Sequence, residues 1–219
     1  MSAPRERAGP RWSGRQRRIG LTGGIATGKS SVAILLARRH GLTVLDADLE
    51  ARHVLADGSS ACRAVLARYG DRVQATREGS SAVGIDRAAL GRIVFAEPHE
   101  RRWLETLVHP QVRARLEAGL RDHSSESSVV LMVPLLFEAG LETLCSEVWL
   151  VQCSAAVQLE RLITRDGLPA EEARRRVEAQ WPLERKRSMA DVLLCNEGSP
   201  EQLEAAVSRA LLRSPMDRR

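Results

Sequence analysis

Lysine is almost missing from this chain. Of 33 basic residues, 31 are arginine, and only Lys29 and Lys186 are lysine. A chain that supplies positive charge with arginine keeps lysine where a compact ammonium serves and a planar guanidinium does not. Asparagine occurs once, as Asn196 followed by Glu197, so the N-K-x-D signature by which a GTPase reads guanine is excluded. The L-S-G-G-Q signature of an ABC-type ATPase is missing, and there is no Gly triplet. The four cysteines, Cys62, Cys145, Cys153 and Cys195, form no C-x-x-C pair. Each sits beside apolar residues and reads as a small buried thiol of a reducing compartment, not a zinc or redox ligand. No apolar run approaches the roughly 18 residues of a membrane span, so no membrane association is expected.

What is present is ordinary globular material: 219 residues, 43% hydrophobic and 28% charged. The formal net charge of +5 suggests a nucleic-acid binder until its location is noted. Within the first 18 residues six arginines face one glutamate, so the rest of the chain is balanced at 27 basic and 27 acidic residues. Residues 1–17 hold Pro4, Gly9, Pro10 and Gly14, lack the apolar core of a signal peptide and lack the Ser content and amphipathic spacing of a transit peptide. They are expected to form a disordered basic leader, and residues 214–219 a disordered tail. No nucleic-acid partner is expected.

Short apolar runs alternate with helical periodicity. Strands are predicted at Arg18–Thr22, Leu42–Leu45, Val129–Val133, Glu147–Gln152 and Val192–Cys195, with helices from Gly28 to about His40 and from about Glu201 to Leu212. Such alternation specifies an α/β fold with a parallel five-stranded sheet flanked by helices. Residues 50–128 are too long for a bare crossover and read as a mostly helical insertion, which Pro110 is expected to kink or restart. A second helical excursion runs from Pro169 to about Met189. The nucleotide-binding core is then residues 18–49, 129–160 and 190–213, the insertion 50–128, and a helical lid 161–189.

Gly23-Gly24-Ile25-Ala26-Thr27-Gly28-Lys29-Ser30 fits G-x-x-x-x-G-K-[ST] between a predicted strand and a predicted helix, the context a P-loop requires. Glycines let backbone N–H groups wrap a phosphate, and the helix N-terminus adds positive potential. Lys29 reaches the outer phosphates and Ser30 supplies a hydroxyl to Mg²⁺. With GTPase and ABC signatures missing and the chain short for a remodelling ATPase, a small-molecule kinase remains.

Asp46 and Asp48 are placed at the end of the second strand, where a period of two puts both on one side. Asp48, further out, is the candidate base for the acceptor hydroxyl, and Asp46 assists Mg²⁺ or its waters; one of the two is alternatively a helix cap. Arg161 and Arg165, four apart on a helix, are placed to face the triphosphate together. The remaining basic residues of 160–187, Lys186 among them, read mainly as solvated ion pairs.

These motifs, with Leu45-Asp46-Ala47-Asp48, His109-Pro110, Val133 to Gly140 (V-P-L-L-F-E-A-G), Arg165-Asp166-Gly167, Gln180, Lys186 and Asn196-Glu197-Gly198, closely resemble the dephospho-CoA kinase family from about Arg18 to Leu212. The resemblance implies ATP-dependent phosphorylation of the ribose 3′-hydroxyl of dephospho-CoA, in the cytoplasm, by a monomer or weak homo-oligomer. It implies that Asp48, Lys29 and Arg161 are catalytic. Gly24, Ile25, Ala26, Thr27, Gly28, Lys29, Ser30 and Ser31 would bind ATP, with Asn196 near the adenine. The insertion would be the CoA-substrate domain, with Arg52, Arg87 and His109 as contacts beside Asp46 and Arg165. Ser30 and Asp48 would hold Mg²⁺. Some family members carry an Asp where this chain has Met132, which shifts the metal's weight onto Ser30, Asp46 and Asp48. His109 also reads as a satisfied histidine at a helix kink, and Trp103 and Trp181 as core rather than as adenine-stacking rings. Another P-loop kinase of shikimate-kinase or nucleotide-kinase type is the alternative enzyme. A non-enzymatic nucleic-acid binder acting through the leader is the alternative class.

Overall fold

The structure, a computed structural model, describes residues 11–75 and 84–213. The disorder expected of residues 1–10 and 214–219 lies outside the described residues. The elements run β1 (Arg17–Gly23), α1 (Lys29–His40), β2 (Thr43–Asp46), α2 (Ala47–Val54), α3 (Ser60–Tyr69), β3 (Gln74–Ala75), β4 (Gly84–Ile85), α4 (Arg87–Ala96) and α5 (Pro98–Asp122). They continue with β5 (Ser128–Met132), β6 (Glu147–Gln152), α6 (Ala155–Asp166), α7 (Ala170–Glu178), α8 (Leu183–Met189), β7 (Val192–Cys195) and α9 (Pro200–Leu212). The chain divides into two compact units, one holding the residues up to Asp46 and those from Gly119 onward, the other Ala47–Ala118.

The first unit is a five-stranded parallel sheet in the order β2-β5-β1-β6-β7. Continuous apolar runs form its central strands because both faces are covered. Ile19, Leu21, Trp149 and Val151 on one face pack with Val32 and Leu36 of α1 and Leu203 and Val207 of α9. Each such side chain contributes about 1.5–3 kcal/mol by leaving water. On the other face of β1, Gly20 leaves room for Cys145: a Cβ there would lie 2.7 Å from its Sγ. Ser199 opens α9 with a reciprocal capping box to Gln202.

The second unit has its own core of Cys62, Val65, Tyr69, Val73, Ile85, Ala89 and Leu90. Its anchor is a polar cluster at the core's edge. Glu100 accepts from Arg68 Nε (2.7 Å) and from the Tyr69 hydroxyl (2.5 Å), and Tyr69 meets Trp103 edge to face at 5.6 Å. The two hydrogen bonds, from Arg68 first and then Tyr69, hold the Glu100 carboxyl down at about 2. Trp103 packs against this core, in keeping with the core reading.

Several expectations change. Strand β2 ends at Asp46, and Ala47 already begins α2, so Asp48 stands in the first turn of a helix, and the period-of-two argument for the aspartates does not hold. Helix α5 runs through Pro110 without ending; the proline deprives Thr106 O of its N–H donor, and Gln111 Nε2 donates to Leu107 O (3.0 Å) beside it. The insertion contains the short antiparallel pair β3-β4, which two-residue strands hide from periodicity. The excursion after Pro169 is two helices, α7 and α8, separated at Trp181-Pro182. Cys195 is exposed, unlike the other three cysteines, because it lies on the uncovered face of edge strand β7. Residues 11–16 carry no helix or strand but are not a solvated tail. Arg11 pairs with Asp191 and donates to Met189 O (2.7 Å), Trp12 N donates to Cys145 O (3.2 Å), and Arg18 stacks over the Trp12 ring at 3.5 Å.

Candidate active site

The glycine-rich segment Gly23 to Gly28 leaves the C-terminal end of central strand β1 and delivers the chain to the N-terminus of α1. Gly28 caps α1 in the left-handed conformation at φ +96°, and Ala26 at φ +60° is the sole non-glycine with positive φ among the described residues. Such backbone is held at a cost of about 1–3 kcal/mol, which is commonly stored where function needs it. The fold secures it from inside: Thr27 is fully buried and its hydroxyl donates to Gly24 O (2.9 Å). Lys29 is 9% exposed and its ammonium donates to Gly24 O (2.8 Å) and Gly23 O (3.1 Å).

Ala26, Gly28, Lys29, Ser30 and Ser31 share one cavity of about 690 Å³ with Arg161 and Arg165 of α6 and with Glu197. Ser30 and Ser31 are exposed at the start of α1. The structure therefore brings the loop and both arginines together. Arg165 does not stand free there. It makes two hydrogen bonds to its neighbour Asp166 (2.7 and 3.0 Å), which hold that carboxyl below its usual range. Asn196, expected near an adenine, is turned to the loop itself: its Nδ2 donates to Thr27 O (2.9 Å). Gly24 and Ile25 belong to the opposite side of the loop. Gly24 lines a second cavity of about 570 Å³ with Gln158, Gln180, Trp181 and the two thiols Cys153 and Cys195. Trp181 carries the Arg185 guanidinium over its ring at 3.5 Å.

Asp46 is half-buried at the end of β2, the C-terminal edge where loops of a parallel sheet carry ligands. In the second unit Asp48 is exposed on α2. Arg52 and Arg87 are brought together, the Arg87 guanidinium donating to Arg52 O (3.1 Å). His109 lies half-buried on α5.

Sequence reasoning missed the groups that brace the loop. Gln180 Oε1 accepts from Ile25 N (2.9 Å). Lys186, taken for a solvated cation, is fully buried and pairs with Glu138 at 2.7 Å. Its rarity as one of two lysines was the available signal.

A donor set of hydroxyl and carboxylate oxygens suits Mg²⁺, which usually takes one or two carboxylates with substrate phosphates rather than an all-protein cage. Ser30 beside Lys29 in the loop cavity provides such an oxygen. Among the described residues no cluster of three or more His, Cys, Asp or Glu forms a preassembled cage, and no helix is long and apolar enough to cross a membrane.

The family model for dephospho-CoA kinase matches residues 17–202. A dephospho-CoA kinase of Synechococcus sp. (strain CC9605) is 56% identical over 200 residues, covering 91% of this chain and 94% of that one. Among solved structures, TT1252 from Thermus thermophilus is 37% identical with a TM-score of 0.73, covering 92% of this chain and all (100%) of that one. A dephospho-CoA kinase from Campylobacter jejuni is 26% identical with a TM-score of 0.64, covering 89% and 94%.

Proposed function

The chain belongs to the dephospho-CoA kinase family, phosphotransferases with an alcohol acceptor, and from that premise we propose which of its residues carry the reaction. The reaction is ATP-dependent phosphorylation of the ribose 3′-hydroxyl of dephospho-CoA, giving coenzyme A and ADP. The observation that carries the assignment is the cavity shared by the phosphate loop and two α6 arginines. Backbone N–H groups from Ala26 to Ser31 cradle the phosphates, and the Lys29 ammonium exchanges its two carbonyl partners for phosphate oxygens. Arg161 and Arg165 neutralise charge as it spreads over the transferring group. Asn196 acts on ATP by fixing the loop from behind.

Ser30 and Asp48 would hold Mg²⁺, with Asp46 ordering its waters, and the ion would supply charge neutralisation to the phosphates. Asp48 accepts the proton of the acceptor hydroxyl. Residues 50–128 bind dephospho-CoA through Arg52, Arg87 and His109, and residues 161–189 act as the lid. The enzyme works in the cytoplasm as a monomer or weak homo-oligomer, without nucleic acid.

The test is ADP release coupled to dephospho-CoA as acceptor with Mg·ATP, beside a panel containing shikimate and nucleoside monophosphates. Turnover with dephospho-CoA alone is expected. Preference for another acceptor would overturn the substrate assignment.

A further inference from the structure

The phosphate loop is gripped by uncharged carboxamides. Asn196 Nδ2 donates to Thr27 O (2.9 Å) in the loop's second half. In its first half Gln180 Oε1 accepts from Ile25 N (2.9 Å). Gln158, only 6% exposed, abuts Gly24 so closely that a Cβ there would meet its Nε2 at 2.6 Å. A carboxylate in any of these places would repel a triphosphate, and an ammonium would compete with Lys29 for it. A carboxamide fixes the backbone without changing the field.

Gln180 is the one of the three that neither lies on α6 nor directly follows a strand of the sheet. It lies between α7 and α8, and that segment is pinned by a buried relay. Trp181 N donates to Glu138 Oε1 (3.3 Å). The same oxygen takes the fully buried Lys186 ammonium at 2.7 Å. Lys186 also approaches Pro134 O (3.5 Å), which accepts from Thr22 (3.1 Å) on β1, one residue before the loop. Glu138 Oε2 is buried with no hydrogen-bond partner among the described residues. The pair is therefore intolerant of change, since losing Lys186 would leave the Glu138 carboxylate with the Trp181 N–H and no counter-charge. The chain of contacts is closed, running from β1 through Pro134, Lys186, Glu138 and Trp181 to Gln180 and back to the loop at Ile25.

We propose that Gln180 is a positioning residue for ATP: its carboxamide oxygen tethers the Ile25 amide, and the Lys186–Glu138 pair sets the segment that carries it. The tether holds the first half of the loop in its phosphate-ready conformation and ties that conformation to the segment between α7 and α8. This rests on the reading of the loop as the ATP site.

The experiment uses the full chain and two variants, Gln180→Leu, which removes the acceptor, and Gln180→Glu, which keeps an acceptor oxygen. Gln180 is half-buried at the surface of a helix junction, so neither substitution threatens the core. Amide exchange at Ile25 is read by NMR in nucleotide-free protein, together with steady-state kinetics. In Gln180→Leu, Ile25 exchange should rise and KM for ATP should increase, each by roughly two- to tenfold, the range of one neutral hydrogen bond. KM for dephospho-CoA should stay within about twofold. In Gln180→Glu, Ile25 protection should match the parent. Unchanged Ile25 exchange in the leucine variant, equal loss of Ile25 protection in the glutamate variant, or an unmoved KM for ATP in the leucine variant overturns the proposal. Protection of the amides of residues 26–31 by ATP in the parent chain checks the site itself, so a failure of that reading shows separately.

Discussion

Replacing Gly28 by alanine tests the loop geometry quantitatively. Gly28 sits at φ +96°, where a Cβ costs about 1–2 kcal/mol. That Cβ would also lie 2.0 Å from Asn196 Nδ2 and 3.2 Å from its Cγ. The Asn196 side chain must swing away, losing its bond to Thr27 O, which is worth about 1 kcal/mol. Gly28→Ala should therefore destabilise the chain by about 2–3 kcal/mol, the sum of those two effects. Asn196→Ala alone should cost about 1 kcal/mol. Its retained Cβ, 4.0 Å from the new methyl, is in ordinary contact. The double variant loses the hydrogen bond only once, so it should be no worse than Gly28→Ala, a coupling of about 1 kcal/mol. Gly41→Ala isolates the backbone effect, because Gly41 has φ +67° with nothing within 4 Å of the added Cβ. Urea unfolding of the four variants measures all of this. Additivity of Gly28→Ala and Asn196→Ala within about 0.5 kcal/mol would refute the claim that Asn196 is what the methyl displaces.

Three further outcomes are expected. Asp48→Asn should lower the single-turnover rate about 10²–10⁴-fold while leaving the calorimetric affinity for ATP without Mg²⁺ within a few-fold, and a rate near the parent's would remove Asp48 as base. Lys186→Met should cost about 3–5 kcal/mol in urea unfolding, with partial recovery on adding Glu138→Gln; a loss under about 1 kcal/mol would mean that the Glu138 charge finds water once its partner is gone. The Glu100 carboxyl is lowered in the folded chain to about 2 from an ordinary 4.5, so its contribution is complete above pH 4.5 and disappears as pH falls toward about 2. Glu100→Gln should flatten the acid limb of stability in that window, and identical slopes for the two proteins would show that the Arg68–Tyr69–Glu100 cluster does not couple to folding.

The sheet and the loop were legible because their signals are local. Strands β6 and β7 were readable to the residue, since a parallel sheet covered on both faces demands short continuous apolar runs. Asp48 was harder. Its spacing from Asp46 fits a strand, but helix α2 begins at Ala47, and nothing in the short run from Leu42 to Leu45 announces where a strand yields to a helix. Pro110 misled because it removes a single intrahelical hydrogen bond, and a helix of 25 residues runs on through that loss. Arg11 and Trp12 looked like part of a solvated leader because their partners, Asp191 and Cys145, are far away in sequence. Gln180 stood among the residues of the family resemblance, but its role was not legible for the same reason: a tether to Ile25 is a long-range pairing that no periodicity encodes.

The scarcity of lysine supplies the last step. Both lysines are buried, Lys29 at 9% exposure and Lys186 at 0%, and both bond backbone carbonyl oxygens. An ammonium can gather oxygens that converge on one point, whereas a guanidinium spreads its five donors over a plane and needs them fanned out. Gly23 O and Gly24 O converge in this way around Lys29, as Glu138 Oε1 and Pro134 O do around Lys186. Arginine serves elsewhere in this chain because pairs such as Arg165 with Asp166 or Arg68 with Glu100 are two-pronged. The rare residue therefore marks geometry rather than charge. One instance grips the loop from within and the other braces the segment that grips it from outside, so the same substitution, lysine to arginine, should disturb ATP binding at two places far apart in sequence.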